Sequence, residues 1–156
     1  MRLLLCAVGR MRGSPERALV DDYTLRFDRL GRQLGLGPLT EVEIDERKSP
    51  DPPAQAADIL RRLPASAWTV ALDERGAALD SPGLAQLLGQ RRDDGVQDLA
   101  LLIGGADGLD PGLRSRAGLV LSLGAMVWPH MLARVMLAEQ LYRAATILAG
   151  TPYHRA

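Results

Sequence analysis

Two glycine-bearing loops, each placed directly after an apolar run, are the part of this sequence best suited to bind a small molecule. Gly104 and Gly105 follow the run Leu99–Ile103, and the loop Leu123–Trp128 follows the run Leu119–Leu121. Glycine lets the backbone turn sharply and approach a ligand that a Cβ would hold off. The second loop is apolar and ends at a proline, so its backbone groups lack an obvious partner that a ligand could supply. The pattern predicts a ligand pocket, and two ordinary βα connections are the alternative.

The end of the chain brings three chemically useful side chains together. Tyr153, His154 and Arg155 lie next to one another after a long helical pattern. The ring can stack on a base, the imidazole can move a proton near neutral pH, and the guanidinium can meet a phosphate or a developing negative charge. Chain ends are usually frayed. From the residues alone, a tail without function is therefore the favoured interpretation.

Metal chemistry finds little support in the residue types. Cys6 is the one cysteine of the chain and lies in an apolar run, while His130 and His154 are the two histidines. This set does not form a convincing zinc site, and we predict no metal. Cys6 is expected in the core. His130 follows Pro129, and we interpret it as a residue that caps the start of the last helix.

The charge balance argues against a stand-alone nucleic-acid binder. The chain has 19 Lys and Arg against 19 Asp and Glu and no net charge, so it lacks a global basic field. Arg10, Arg12 and Arg17 cluster after the first apolar run. A solvated helix face is the favoured interpretation of this cluster, and a local basic patch is the alternative. A neutral protein can still dock by shape on a large folded RNA assembly.

Alternating strand and helix patterns position these residues. Apolar runs predict strands at Leu3–Val8, Trp68–Leu72, Leu99–Ile103 and Leu119–Leu121, and the alternating apolar residues Leu39, Val42 and Ile44 mark a further strand. Helical patterns run from Pro15 to about Gly35, over Ala54–Leu63, from a cap at Ser81 to Leu88, from a cap at Asp110 toward Arg116, and over His130–Leu148. The alternation predicts one α/β domain, residues 1–156, with a mostly parallel sheet covered by helices on both faces.

Charged residues lie within the second predicted strand and directly after the third. Glu41 and Glu43 alternate with apolar neighbours, which predicts an edge strand with one wet face. The segment Asp73–Gly76 follows the third strand, at the edge where open α/β sheets bind ligands.

The last helix has an unusually broad apolar face. Part of this face could form a homodimer interface, and a wide core contact within one chain is the alternative. Glu139 and Arg143 have the spacing of an i,i+4 surface pair. The apolar ends of the chain are too short for a signal peptide or a membrane span, so we expect a cytoplasmic protein with no membrane partner.

Seven segments carry a resemblance to a known family. In chain order they are LLLCAVGRMR, DDYTLRF, TVALDERG, LLIGGADGL, LSLGAMVWPH, RVMLAEQLYRA and PYHR. The chain resembles the RlmH family, which belongs to the SPOUT superfamily. Members of the RlmH family methylate N3 of a pseudouridine in 23S rRNA. The match covers nearly the whole length, and Glu46–Ala65 is its least informative part. The arginine-rich run RMRGSPER departs from the lysine-rich helix start expected of the family, which bears on how the substrate docks.

The resemblance implies a fold and a set of site residues. The C-terminal segment of the chain would be threaded into a deep trefoil knot, although general topology rules argue against knots. S-adenosylmethionine would be bound in a bent conformation among the knot loops. The implied cofactor-binding residues are Leu72, Gly104, Leu123, Gly124, Ala125, Met126, Val127 and Trp128. Family members are homodimers in which the tail of one subunit helps to complete the pocket of the other. Tyr153, His154 and Arg155 thereby become the expected catalytic residues.

The implied reaction is an in-line methyl transfer without a metal or a covalent enzyme intermediate. Positioning is expected to dominate its rate. His154 is the candidate for assisting removal of the N3 proton, and Arg155 for stabilising negative charge on the base. The expected partner is 23S rRNA in the assembled ribosome. Two alternatives stay open: a SPOUT methyltransferase that acts on tRNA, and a non-catalytic ribosome-associated module that binds a nucleotide at the same loops.

Overall fold

One parallel sheet organises residues 1–155, which are the residues that the computed structural model describes. Its strands are β1 Arg2–Val8, β2 Leu39–Ile44, β3 Trp68–Ala78, β4 Asp98–Ile103 and β5 Leu119–Ser122. The α-helices are α1 Pro15–Gly31, α2 Pro52–Arg62, α3 Ser81–Asp93, α4 Pro111–Ser115 and α5 His130–Ala149, and a 3₁₀ turn Arg32–Leu34 follows α1. The strand order is β2-β1-β4-β3-β5 and every pairing is parallel. The predicted α/β class with a parallel sheet is confirmed, whereas the knot stays a prediction.

Helices cover the two faces of the sheet, because alternate residues of a strand point to opposite sides. Every residue of β4 is buried. Leu101 belongs to the core beneath α1, α3 and α5, and Leu102 to the smaller core beneath α2 and α4. Cys6 lies in the smaller core, as predicted, where burial raises the pKa of its thiol to about 12. The central strands therefore form a rigid base from which the loops at the carboxyl edge project.

The carboxylate of Asp80, rather than the predicted serine, caps α3. The Asp80 side chain accepts a hydrogen bond of 2.7 Å from the Gly83 N–H. Ser81 is already the first helical residue, and its hydroxyl lies 2.7 Å from Oε1 of Gln140. The capping prediction for Ser81 was wrong because a carboxylate one residue earlier reaches the free N–H of the first turn. Asp110 caps α4 as predicted, through the Leu113 N–H at 3.0 Å.

The second strand is an edge strand, as predicted, but its glutamates do not face water. The Glu41 and Glu43 side chains are only 17% and 27% exposed. Glu41 pairs with Arg17 of α1, and Glu43 pairs with Arg134 of α5. The prediction of a wet face was wrong because helices from both ends of the chain bring arginines to these carboxylates.

The third strand continues past its predicted end through an irregular segment. Leu72 pairs with Leu121, and after a break in register Ala77 pairs with the same residue. The four intervening residues, Asp73 to Gly76, leave the ladder and form a bulge. A Cβ built on Gly76 would lie 2.7 Å from the backbone carbonyl carbons of Val120 and Leu121. The bulge therefore requires glycine where it returns to the sheet.

Gly76→Ala is expected to lower the free energy of unfolding by about 1–3 kcal/mol, because the added methyl group must displace backbone atoms of β5. The matched control is Gly89→Ala in α3, where the Cβ would meet the flexible end of Leu148 at 3.4 Å. Alanine in a helix interior gains about 0.5–1 kcal/mol over glycine, so the control should be neutral or stabilising. Urea denaturation measures both variants, and equal stability would contradict this account of the bulge.

The broad apolar face of α5 packs within the chain. Leu137, Leu141 and Ala145 are fully buried against the larger core. This part of the face therefore makes the predicted alternative, a core contact within one chain, and a homodimer interface on the rest of the face stays a prediction. Within residues 1–155, no helix is long and apolar enough to cross a membrane.

Candidate ligand-binding site

A cavity of about 370 Å³ opens at the carboxyl ends of β3, β4 and β5. Three segments and the start of α5 form its walls. The lining residues are Leu72–Arg75 from the β3 bulge, Ile103–Leu109 from β4 and its loop, Leu121, Leu123, Gly124 and Met126–Trp128 from β5 and its loop, and Arg114, His130 and Ala133 from helices. Its volume lies within the range of small-molecule pockets, about 300–1,000 Å³. The carboxyl edge of an open parallel sheet is also where such folds bind ligands.

The structure brings seven of the eight residues implied as cofactor-binding to this cavity. They are Leu72, Gly104, Leu123, Gly124, Met126, Val127 and Trp128. Ala125 is exposed and does not line the cavity. That these residues bind a cofactor stays a prediction.

The glycine loop after β4 is packed closely against its own backbone. A Cβ built on Gly104 would lie 2.4 Å from the carbonyl carbon of Gly108 and 2.6 Å from the Leu109 nitrogen. Gly105 and Gly108 form an isolated bridge, and Gly108 has a φ of +77°, a region that favours glycine. The close approach predicted at Gly104 is therefore to the loop's own backbone. This compact turn shapes one wall of the cavity.

An ion pair fixes the β3 bulge against α4. One oxygen of Asp73 accepts a hydrogen bond of 2.9 Å from the Arg75 N–H, and the other pairs with the Arg114 guanidinium. Burial by itself raises the pKa of Asp73, but the hydrogen bonds from Arg75 and Arg114 outweigh it and hold the pKa below its ordinary value. The carboxylate is thus charged at neutral pH. It locks together two segments that line the cavity.

The loop after β5 presents apolar side chains at the mouth of the cavity. The Ser122 hydroxyl holds its first turn, since it accepts the Gly124 N–H at 3.1 Å. Gly124 has a φ of +114°. Beyond it, Met126 and Val127 are well exposed. Exposed apolar surface beside a pocket is typical of a region that a ligand or a protein partner covers.

His130 is a cavity residue that the sequence interpretation missed. The N-cap of α5 is Pro129 and has no side-chain capping bond, so the capping role predicted for His130 was wrong. As the first helical residue, His130 instead points toward the loop after β1. A Cβ built on Gly9 would lie 3.2 Å from its Nε2. Its position directly after the second predicted ligand loop was the signal available in the sequence.

The tail packs on α5 of its own chain and does not line the cavity. The Tyr153 hydroxyl donates to Glu139 at 3.0 Å, and its ring centroid lies 4.7 Å from that of Tyr142. The Arg143 guanidinium sits 4.8 Å from the same ring and pairs with Glu139 at 2.6 Å. Burial, followed by the bond to Glu139, raises the pKa of Tyr153 above its ordinary value. The predicted Glu139–Arg143 pair exists, but it also anchors the tail.

The two residues beyond this anchor are less constrained. Arg155 is exposed and His154 is half-buried. The Nδ1 atom of His154 is buried without a hydrogen-bond partner in residues 1–155. A buried polar atom without a partner calls for an explanation in function or assembly.

The described residues contain no group of three or more His, Cys, Asp or Glu side chains that could hold a metal ion. The cavity instead combines apolar walls with a few charged side chains. Among the charged lining residues, Asp73 is paired with Arg114 of α4. The charged residues outside this pair are Glu74, Arg75 and Asp107. Such a lining suits an organic molecule that has an apolar ring and a polar end.

A family model described as a predicted SPOUT methyltransferase matches residues 1–154. The chain is 60% identical over 155 residues to ribosomal RNA large subunit methyltransferase H of Ruegeria pomeroyi, covering 99% of each. It is 62% identical over 156 residues to the protein of the same name from Dinoroseobacter shibae, again covering 99% of each. A solved structure of the SpoU methyltransferase AviRb from Streptomyces viridochromogenes, in complex with AdoMet, has a TM-score of 0.48 and 19% identity, over 97% of this chain and 59% of that chain. From the family model and the two sequence relatives, the chain belongs to the SPOUT methyltransferase family.

Proposed function

We propose that residues 1–156 form one SPOUT domain that methylates N3 of a pseudouridine in 23S rRNA, using S-adenosylmethionine, on assembled ribosomes in the cytoplasm. The observation that carries this proposal is the similarity, at 60% and 62% identity over 99% of both chains, to relatives named ribosomal RNA large subunit methyltransferase H. A fold by itself does not imply a function. The cavity supplies the second argument, because its lining suits the cofactor.

The lining residues divide between the two ends of S-adenosylmethionine. Leu72, Leu123 and Met126 would hold the adenine ring against apolar side chains, while backbone groups of the loops meet its polar edge. Glu74 and Asp107 would meet the hydroxyl and ammonium groups of the polar end. The cofactor supplies an electrophilic methyl group on a sulfonium. The loops hold this group in line with the acceptor nitrogen, and such positioning lowers a barrier by up to about 7–11 kcal/mol in the best cases.

The N3 proton has to leave the base, and we assign this step to the tail of a second subunit. His154 accepts the proton, and Arg155 stabilises the negative charge that develops on the base. Within one chain Tyr153 holds the tail on α5, so His154 and Arg155 act only if a second chain brings its cavity to them. The exposed apolar residues Met126, Val127 and Leu132 beside the cavity form a surface that a second subunit would cover.

Methyl transfer from radiolabelled S-adenosylmethionine tests the activity. Ribosomes that lack the modification, free 23S rRNA and tRNA are the three substrates. We expect label in the 23S rRNA of intact ribosomes, recovered as N3-methylpseudouridine by mass spectrometry of nucleosides. Label in tRNA alone would favour a tRNA methyltransferase, and the absence of label from all three would favour a non-catalytic module.

Leu132→Asp is expected to convert a dimer into monomers, because a carboxylate cannot be buried in an interface without a partner. Leu132 is an exposed residue in the first turn of α5. Leu60→Asp is the matched control, since Leu60 is similarly exposed on α2 at the other face of the sheet. Light scattering at micromolar concentration measures both variants. A wild-type chain that is a stable monomer would rule out the dimer and, with it, the role of the tail in a second cavity.

A further inference from the structure

We propose that the loop between β1 and α1, Gly9–Ser14, docks the RNA substrate by presenting Arg10 and Arg12 to backbone phosphates beside the target nucleotide. This inference rests on the proposed function, because it identifies how the RNA is held at the same cavity. Three observations carry it: the way the loop is fixed, the direction of its arginines, and its contact with the cavity wall.

A buried arginine fixes the start of the loop. Arg134 of α5 is fully buried, at 0% exposure. Its guanidinium donates to the carbonyl of Gly9 at 2.8 Å, to that of Val8 at 3.2 Å, and to Glu43 at 2.8 Å. Burying a charged pair is a poor source of stability, because desolvation offsets the attraction. The clear consequence of these bonds is geometric, since they hold the loop in one place.

The same carboxylate fixes the middle of the loop. Glu43 accepts the Met11 N–H at 2.7 Å, and the Met11 side chain is buried in the larger core. Arg10 and Arg12 flank this fixed residue and point outward. The Arg10 side chain is 46% exposed and has Asp45 at 3.3 Å. Arg12 is exposed and forms no ion pair within residues 1–155.

The loop lies beside the cavity. A Cβ built on Gly9 would lie 3.2 Å from Nε2 of His130, a residue of the cavity wall, so the start of the loop neighbours that wall. Because all strands run parallel, the loop after β1 and the cavity loops project from the same edge of the sheet. The phosphates that flank a nucleotide in the cavity would lie at this edge, where Arg10 and Arg12 are exposed.

Fixed arginines suit a protein with no net charge. Phosphate contacts position a protein on a nucleic acid, and they are made by local arginines and lysines whatever the overall charge. Each contact releases counterions and makes binding weaker as salt rises. A guanidinium on a loop that is already ordered loses less conformational freedom on binding than one on a mobile loop. Holding this loop in place therefore explains the buried Arg134, which stability alone does not explain.

The test is the KM for unmodified ribosomes, measured for Arg12→Ala over a range of KCl concentrations. We expect this KM to rise about tenfold and its log–log dependence on salt to fall by about 1 for the lost phosphate contact. The KM for S-adenosylmethionine should not change. Arg12→Lys keeps the charge and should restore the salt dependence. Arg29→Ala is the matched control, because Arg29 is also exposed and lies about 20 Å along α1 from the start of that helix.

Glu43→Ala tests whether the loop must be held. It leaves both arginines in place but frees the Met11 N–H and removes the nearer of the two carboxylates beside Arg134. The KM for ribosomes should rise while the salt dependence stays near that of the wild type, since the phosphate contacts still form. If Glu43→Ala fails to fold, the Arg12 variants decide the proposal without it.

The outcomes separate this inference from the proposed function. If the wild-type chain methylates ribosomes and Arg12→Ala does so with the same KM and the same salt dependence, the docking role is wrong and the proposed function stands. If the wild-type chain labels no RNA, the proposed function fails, and the docking role fails with it.

Discussion

His154→Ala is expected to slow methyl transfer to ribosomes by about 10²- to 10⁴-fold, the usual contribution of a general acid or base. The substitution removes the imidazole that we propose as the acceptor of the N3 proton, and it leaves the cavity of its own chain untouched, because His154 does not line that cavity. Affinity for S-adenosylmethionine should therefore match that of the wild type. Single-turnover transfer from labelled cofactor to ribosomes measures the rate, and calorimetry measures the affinity.

One further variant, compared with His154→Ala, separates a lost proton acceptor from a displaced tail. Tyr153→Ala removes the anchor on Glu139 and Tyr142, so it should lower both the melting temperature and the rate. His154→Ala should lower the rate alone. Full activity of His154→Ala would remove the residue from the mechanism.

Local sequence patterns predicted the elements well because the forces behind them are local. A continuous apolar run such as β4 can be satisfied only where both faces are covered. Asp110 followed by Pro111 marks a helix start by groups that lie within one turn. The last helix was predicted to begin at His130 and does so. These features need no knowledge of what lies elsewhere in the chain.

Contacts between distant residues escaped the same reasoning. Glu43 alternates with apolar neighbours and so predicts a wet face, but its partner Arg134 is 91 positions away. Asp73 and Arg114, which lock the cavity wall, are 41 positions apart. Only the folded topology brings such pairs together. The glycine loops were found because their signal is local, whereas the ion pair that shapes the cavity between them was not.

For the tail as well, the local chemistry could be predicted from the sequence, whereas the contacts with distant residues could not. Its three side chains were recognised by their chemistry, which the sequence displays directly. Its anchor was not, because the Glu139–Arg143 pair looks like an ordinary surface pair until Tyr153 is seen to donate to it. The anchor turns a frayed end into a positioned one. An experiment can therefore determine whether the tail acts at the cavity of its own chain or at that of a second chain.

Gly104→Val is expected to abolish cofactor binding, and it provides one half of that experiment. Its Cβ would lie 2.4 Å from the carbonyl carbon of Gly108, so the loop that forms one wall of the cavity must move. The buried strand β4 and the tail remain, and circular dichroism should show a folded chain. By itself, Gly104→Val should not methylate ribosomes, and His154→Ala should do so only at its strongly reduced rate.

Mixing the two inactive variants is then expected to restore activity. In a mixed dimer, the intact cavity of the His154→Ala chain meets the intact tail of the Gly104→Val chain, whereas the other cavity of that dimer stays inactive. With equal amounts and free exchange, half of the dimers are mixed and half of their cavities work, so a two-fold symmetric dimer gives about a quarter of the wild-type rate. The double variant Gly104→Val/His154→Ala, mixed with His154→Ala, has no intact tail and should give none. A tail that served its own chain would leave every cavity of the first mixture without either a wall or a proton acceptor, and the mixture would stay as inactive as its parts.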